Sequence, residues 1–159
     1  MIVTIWRHAE AGNAANDASR PITSRGRASL QLSAASFVRW LDAASVAPVS
    51  SLLYSPYLRT RETAEVLCAL CLPAFAAAEH RLAPGARVGD VAELVYPERG
   101  HVVLVSHQPL VSALIALWCD DSTLASLAPG GSATVSLLSP ERGGAELLQH
   151  RPDPIQSDS

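Results

Sequence analysis

The 159-residue sequence contains no lysine, and all 12 of its basic residues are arginines. Its formal net charge of -3 also leaves it without the positive excess that attracts nucleic acid or an anionic membrane surface. We therefore expect neither nucleic acid nor a membrane as a partner. Because arginine is the only basic residue and alanine is abundant, a single arginine is weak evidence of a site. Candidate sites must come from groups of residues.

Cysteines are few, and long hydrophobic runs are missing. Three cysteines do not form a disulfide framework and are typical of a reducing compartment. No run approaches the roughly 18 apolar residues of a membrane span, and no charged-then-apolar leader precedes the first apolar segment. We expect a cytoplasmic protein. Cys68 and Cys71 form a C-x-x-C pair late in a predicted helix, where the helix dipole does not favour a thiolate, so a structural role is predicted.

Apolar periodicity predicts strands that alternate with helices. Strands are predicted at Ile2 to Trp6, Val49 to Tyr54, Ala74 to Glu79, His101 to Ser106, Ala133 to Leu138 and Ala145 to His150. Helices are predicted at 24–43, with Thr23 or Ser24 as the N-cap; from Ser55-Pro56, with Ser55 as the N-cap, to Cys71; around Val88 to Val95; and at Pro109 to Cys119. This order predicts an α/β fold, a three-layer α/β/α sandwich with a mostly parallel mixed sheet that ends in an antiparallel hairpin. We expect one domain over 1–151 and a disordered tail over 152–159.

Three predicted strands deliver basic or titratable side chains at their carboxyl ends. Arg7 and His8 follow the first strand, Arg59 follows the second, and His107 follows the strand HVVLVS. In an open α/β sheet, the ligand site lies outside the carboxyl ends of the strands. Gathering such groups costs free energy unless an anion lies among them, and the arginine fork suits phosphate. The sequence therefore predicts a phosphate site.

The same residues suggest a reaction. The sequence has no glycine-rich phosphate loop and no cluster of carboxylates for magnesium, so we expect neither a metal nor a cofactor, and the positive charge must come from the protein. A neutral imidazole can attack phosphorus and form phosphohistidine. Composition leaves both histidines possible; the adjacency of His8 to Arg7 favours His8, with His107 as a clamp on the phosphoryl oxygens. Arg59 is preferred over Arg61, which lies about 200° further around the helix.

Four stretches in order carry a resemblance to a known family: WRHAEA, RPIT-S-R-G from Arg20, SPYLRTRETAE, and SHQPLV. They resemble the histidine phosphatase superfamily, which has a phosphoglycerate mutase-like fold, and within it the SixA-type protein-phosphohistidine phosphatases. The resemblance implies that His8 is the phosphorylated nucleophile and that Arg7, Arg59 and His107 complete the phosphate pocket. It also implies that Arg20 contacts phosphate, and that the partner is a phosphotransfer domain or a phosphotransferase-system phosphocarrier.

Superfamily members that cleave phosphate esters carry an acidic residue after the third strand. Here Glu79 precedes that position and Asp90 follows it, so neither matches well. An imidazole leaving group, with a conjugate-acid pKa of about 6.5, does not need a strong enzyme acid. This favours phosphohistidine substrates; a small-molecule phosphomonoesterase and a non-catalytic phospho-binding module are the alternatives. Glu10 stays unassigned, and His80, His101 and His150 are interpreted as surface or strand-edge histidines.

Overall fold

The computed structural model describes residues 1–95 and 100–157. Six strands and four helices follow one another along the chain. They are β1 Ile2–Arg7, α1 Ser24–Ala43, β2 Ser51–Tyr54, α2 Leu58–Cys71, β3 Phe75–Ala78, α3 Val88–Val95, β4 His101–Ser106, α4 Leu110–Trp118, β5 Ser132–Leu137 and β6 Ala145–Arg151. Two short 3-10 turns lie at Asp17–Ser19 and His80–Leu82. Within this part of the chain, no helix is long and apolar enough to cross a membrane.

All six strands form one mixed sheet in the order β3-β2-β4-β1-β5-β6. The four strands β3, β2, β4 and β1 run parallel, and β5 pairs antiparallel with both β1 and β6. The parallel half places the carboxyl ends of β1, β2 and β4 next to one another. The predicted α/β architecture with a terminal hairpin is confirmed.

Helices cover the sheet on both faces because consecutive strand residues point to opposite sides. Val3 and Ile5 of β1 pack into the core with α3 and α4, whereas Trp6 packs with α1 and α2. In the second core the ring of Trp6 meets Phe37 of α1 edge-to-face, with centroids 5.3 Å apart. The residues of β1 are thus held from both sides, which fixes the position of its carboxyl end.

The two large helices begin differently from one another. α1 begins after Thr23, as predicted, and the Thr23 hydroxyl accepts the N–H of Gly26 as an N-cap. The predicted start of α2 at Ser55-Pro56 is wrong, because Tyr57 is the N-cap residue and makes no side-chain capping bond. The Ser55 hydroxyl lies 2.8 Å from Nε2 of the His107 ring and accepts only a long bond, of 3.4 Å, from the Tyr57 N–H.

His101 lies inside the protein rather than at its surface, so its interpretation as a surface or strand-edge histidine is wrong. Its side chain is fully buried at the start of β4. The ring bonds to the Ala47 carbonyl at 2.7 Å and to the Thr4 hydroxyl at 2.8 Å. Burial of a polar ring is tolerated when both nitrogens are hydrogen-bonded, and the sequence pattern does not reveal those partners.

The described part of the tail contacts the body of the protein, although disorder was expected there. The Ile155 N–H donates to the Ser33 hydroxyl of α1 at 2.8 Å, and the Pro152 carbonyl accepts the N–H of Ala128. These bonds pair backbone groups of the tail with the body of the protein. The polar, proline-rich composition of the tail did not predict that pairing. Residues 158 and 159 of the predicted tail lie outside the described residues.

Candidate active site

A pocket of about 330 Å³ lies where β1, β2 and β4 end. It brings together Arg7, His8, Arg20, Arg59 and His107, and Glu10, Ala11, Pro84, Gln108 and Pro129 also line it. All five residues that the sequence nominated for a phosphate site therefore lie in one pocket. The arrangement follows from the parallel half of the sheet, which brings distant segments of the chain to one edge.

His8 presents one ring nitrogen to the pocket and uses the other to hold its orientation. Its Nδ1 lies 2.8 Å from the Ala9 carbonyl, and because a carbonyl only accepts, Nδ1 carries the proton. The Nε2 lone pair is then free. Burial is the main cause that lowers the pKa of His8 to about 4; the bond to Ala9 opposes this shift, and the charges of Arg59, Arg7 and Arg20 add to it. A neutral His8 is a competent nucleophile at neutral pH.

His107 lies beside His8, with ring centroids 5.3 Å apart. Its Nε2 is 2.8 Å from the Ser55 hydroxyl, and the Tyr57 ring packs against it edge-to-face. Burial lowers the pKa of His107 to about 3, and the neighbouring His8 and Arg59 contribute in the same direction. Its Nδ1 is buried and has no hydrogen-bond partner among the described residues.

Two arginines leave a similar buried donor without a partner. Arg7 donates its Nη1 to the Leu127 carbonyl at 2.9 Å, and Arg59 donates its Nη1 to the Asp17 carbonyl at 2.7 Å. In both side chains the Nε is buried and finds no partner in the described part of the chain. Buried donors are rarely left unpaired in proteins, and when they occur together a ligand is a common reason. Together with the Nδ1 of His107, these are three buried nitrogens without a partner on residues that line one pocket.

Asp17 links two of the arginines, and the sequence analysis missed it. Its carboxylate accepts from Arg59 Nη2 and from Arg20 Nη1, each at 3.2 Å. Arg20 also donates its Nε to the Gly12 carbonyl. Hydrogen bonds from Arg20 and then Arg59 lower the pKa of Asp17, so it stays ionised and offsets part of the positive charge. In the sequence, only the spacing of three residues between Asp17 and Arg20 could have suggested that the two side chains pair.

Arg61, Glu79 and Asp90 do not line this pocket. Arg61 is 57% exposed and pairs with Glu65, so it faces away from the pocket as predicted. Glu79 does not line the pocket, and its carboxylate accepts from both Nε and Nη2 of Arg81. That pairing lowers the pKa of Glu79 to about 2, which makes it a poor proton donor. Asp90 accepts the backbone N–H of Arg87 at the start of α3.

The two C-x-x-C cysteines are free thiols in α2. Burial is the main cause that raises the pKa of the Cys71 thiol, to about 12, and it also raises the pKa of Cys68. A raised pKa suppresses the reactive thiolate. Among the described residues, no group of three or more His, Cys, Asp or Glu side chains is arranged to hold a metal ion.

Glu10, which lines the pocket two residues after His8, anchors the start of α1. Its carboxylate accepts from the Thr23 hydroxyl and from Arg25, and its carbonyl accepts the Thr23 N–H. Gly26 packs directly on this backbone: a Cβ there would lie 2.7 Å from the Glu10 carbonyl oxygen. Only glycine permits this approach, so the position of Glu10 depends on Gly26.

We expect Gly26→Ala to destabilise the protein by about 1–3 kcal/mol, the usual range for overpacking a rigid site. The neighbouring atoms are backbone and cannot turn aside, so activity should fall as the His8 segment shifts. Gly89→Ala is the matched control, because nothing lies within 4 Å of a Cβ at that helical position. Urea unfolding measures both variants. Equal stability of the two would contradict the close approach.

The lowered histidine pKa values predict that acid destabilises the fold. Between pH 6.5 and about 4 the unfolded chain binds protons at His8 and His107, whereas the folded chain keeps both neutral. Proton binding therefore favours unfolding, and the free energy of unfolding falls by up to about 1.4 kcal/mol per pH unit for each histidine. His107→Asn should reduce the dependence of the unfolding free energy on pH by the contribution of one histidine. Denaturant titrations at several pH values measure this dependence. An unchanged slope would show that burial does not hold His107 neutral.

The fold, with its pocket of histidines and arginines at the strand ends, defines the chain as a phosphoglycerate mutase-like protein. It is 34% identical over 143 residues to phosphohistidine phosphatase SixA of Escherichia coli (strain K12), with 86% of each chain covered. The chain belongs to the SixA family of the histidine phosphatase superfamily.

Solved structures agree with this assignment. The protein histidine phosphatase SixA complexed with tungstate matches with a TM-score of 0.80 and 31% identity, covering 96% of this chain and 97% of that one. A mycobacterial glucosyl-3-phosphoglycerate phosphatase, at 18% identity, matches with a TM-score of 0.68 over 96% of this chain and 99% of that one, and shows the shared fold alone. No family model matches the chain.

Proposed function

We propose that this protein is a metal-independent phosphatase that removes phosphate from phosphohistidine in a partner protein, through a covalent intermediate on His8. One observation carries the proposal most directly. The Nε2 of His8 has no hydrogen-bond partner among the described residues, and the residues that line the pocket with it leave three buried nitrogens, Arg7 Nε, Arg59 Nε and His107 Nδ1, without a partner there. A nucleophile with donors for the phosphoryl oxygens is the arrangement that phosphoryl transfer requires.

The reaction has two steps. The partner's phosphohistidine reacts with a proton on its other ring nitrogen. The Nε2 lone pair of His8 attacks phosphorus, the P–N bond to the partner's ring breaks, and a neutral imidazole leaves with the bonding electrons. Water then attacks phosphorus on His8, releases inorganic phosphate and regenerates the neutral imidazole. Arg7, Arg59 and His107 bind the phosphoryl oxygens in both steps, and Arg20 adds charge at the rim. The relative solved with tungstate has a tetrahedral oxyanion as ligand, which supports an anion of this shape.

The position of Glu79 supports phosphohistidine rather than a phosphate ester as the substrate. An ester's alkoxide needs a proton as it leaves, and a carboxyl with a pKa of about 2 that is held by Arg81 does not supply one. An imidazole leaves as a much weaker base. The E. coli relative is a phosphohistidine phosphatase by name, in agreement with this preference. The partners we propose are phosphotransfer domains and phosphotransferase-system phosphocarriers.

The test compares two substrates in EDTA: a phosphohistidine phosphocarrier and nitrophenyl phosphate. We expect the wild type to strip the carrier while barely hydrolysing the ester. Preference for the ester would replace the proposal with a small-molecule phosphomonoesterase. Binding of the phosphorylated carrier without phosphate release would indicate a non-catalytic module. Loss of activity in EDTA that returns with a divalent cation would contradict metal independence.

A further inference from the structure

Ser55, at the carboxyl end of β2, is fully buried beneath the phosphate pocket. Its hydroxyl is 2.8 Å from His107 Nε2 and accepts the Tyr57 backbone N–H at 3.4 Å. No other hydrogen bond of this hydroxyl is found within the described ranges 1–95 and 100–157. Ser55 follows directly after a strand, as His107 does. That position was the feature of the sequence that could have indicated a role for Ser55 near the pocket.

The geometry allows two arrangements of the protons on neutral His107. In one, the Ser55 hydroxyl donates to Nε2, and Nδ1 carries the ring proton. In the other, Nε2 donates to Ser55; the hydroxyl proton then has no acceptor in the described residues, and Nδ1, on a ring that lines the pocket, keeps a buried lone pair without a partner there. A lone pair facing phosphoryl oxygens is repulsive, and an unpaired buried hydroxyl proton costs about 1–3 kcal/mol.

We propose that Ser55 is a positioning residue that fixes neutral His107 as the tautomer with the proton on Nδ1, so that His107 donates a hydrogen bond to the phosphoryl group without having to be protonated. The proposal rests on the function proposed above for its catalytic consequence, but not for the tautomer itself. Ser55 does not touch the substrate; it acts through the ring of His107.

The surroundings of His107 make this arrangement useful. Its ring faces the cationic Arg7 and Arg59, the neutral His8 and the Tyr57 ring, with Asp17 as the one opposing negative charge. Two nearby arginines and burial disfavour a third cation in the free enzyme. A hydroxyl can donate to neutral Nε2 and can also accept from it if the ring becomes protonated when phosphate binds. The neutral ring is the better partner, because a protonated Nε2 would leave the Ser55 hydroxyl proton without an acceptor among the described residues.

The tautomer is measured directly by long-range ¹H–¹⁵N NMR of the histidine rings at pH 8, with no substrate present. The His107 signals are assigned by their loss in His107→Asn. We expect a pyrrole-type shift for Nδ1 and a pyridine-type shift for Nε2 in the wild type. The reverse pattern would overturn the proposal, whatever the natural substrate is, so its failure is distinguishable from failure of the proposed function.

Ser55→Ala tests the consequence for catalysis. We expect its His107 to lose the single wild-type tautomer and its kcat on the phosphocarrier to fall about tenfold, less than the 10²–10³ lost when an oxyanion donor is removed outright. An unchanged tautomer, or a changed tautomer with wild-type kcat, would contradict the assigned role. If Ser55→Ala does not fold, the wild-type spectrum still decides the tautomer.

Discussion

His8→Ala is expected to lower kcat/KM for a phosphohistidine phosphocarrier by at least about a thousandfold, because it removes the nucleophile of the proposed covalent mechanism. His8 is 8% exposed, and its Nδ1 is committed to the Ala9 carbonyl, so its Nε2 is the free ring nitrogen. The measurement is single-turnover release of phosphate from the labelled carrier. Thermal unfolding checks that the variant is folded.

His80→Ala is the matched control, because the side chain of His80 is 87% exposed and lies against the Glu79 carboxylate rather than in the pocket. It should retain wild-type kcat/KM within about a factor of two, as surface substitutions generally do. His107→Ala completes the set. If His107→Ala abolished turnover while His8→Ala kept a tenth or more of it, the nucleophile would be His107, the alternative that residue composition alone left open.

Arg59→Ala is expected to lower kcat/KM by about 10²–10³-fold, the usual effect of removing a preorganised donor to a developing charge. The Arg59 side chain is 6% exposed, donates two hydrogen bonds to Asp17 and places its guanidinium carbon 5.1 Å from the centroid of the Tyr57 ring. Arg59→Lys keeps the charge but loses the planar fork, so it should recover only part of the activity. The assay is steady-state phosphate release with folded variants.

Arg61→Ala provides a control on the same helix with the same residue type. Arg61 is exposed and pairs with Glu65 across one helical turn, a contact worth about 0.3–0.5 kcal/mol. Activity should therefore change by no more than about twofold. Equal losses for Arg59→Ala and Arg61→Ala would contradict the orientation of α2 and would point to general charge rather than a directed donor.

The main features of the fold and the gathering of the pocket residues could be predicted from the sequence for a geometric reason. Parallel strands end at one edge of a sheet, so Arg7, Arg59 and His107 could be brought together without knowledge of any side-chain contact. The start of α1 was also predictable, because a capping threonine acts on its own local backbone. These features depend on periodicity and topology, which a sequence contains directly.

The features that sequence analysis missed depend on contacts between distant segments. The partners of His101 at Thr4 and Ala47 are far away along the chain, so its burial was invisible. Ser55 was interpreted as a helix cap because Ser-Pro commonly begins a helix, whereas its hydroxyl lies against His107. Asp17 lies in a polar loop and could not be distinguished from its neighbours by sequence, because its partner Arg59 is 42 residues away along the chain.

The central claim is that phosphate passes through His8. The most direct test is a rapid-quench reaction with a ³²P-labelled phosphohistidine carrier. The reaction is quenched and the enzyme digested under alkaline conditions, and mass spectrometry then locates the label. We expect a transient label on His8 that is acid-labile, decays as inorganic phosphate appears, and is absent in His8→Ala. Release of phosphate at the full wild-type rate with no label on the enzyme at any time would contradict the covalent mechanism.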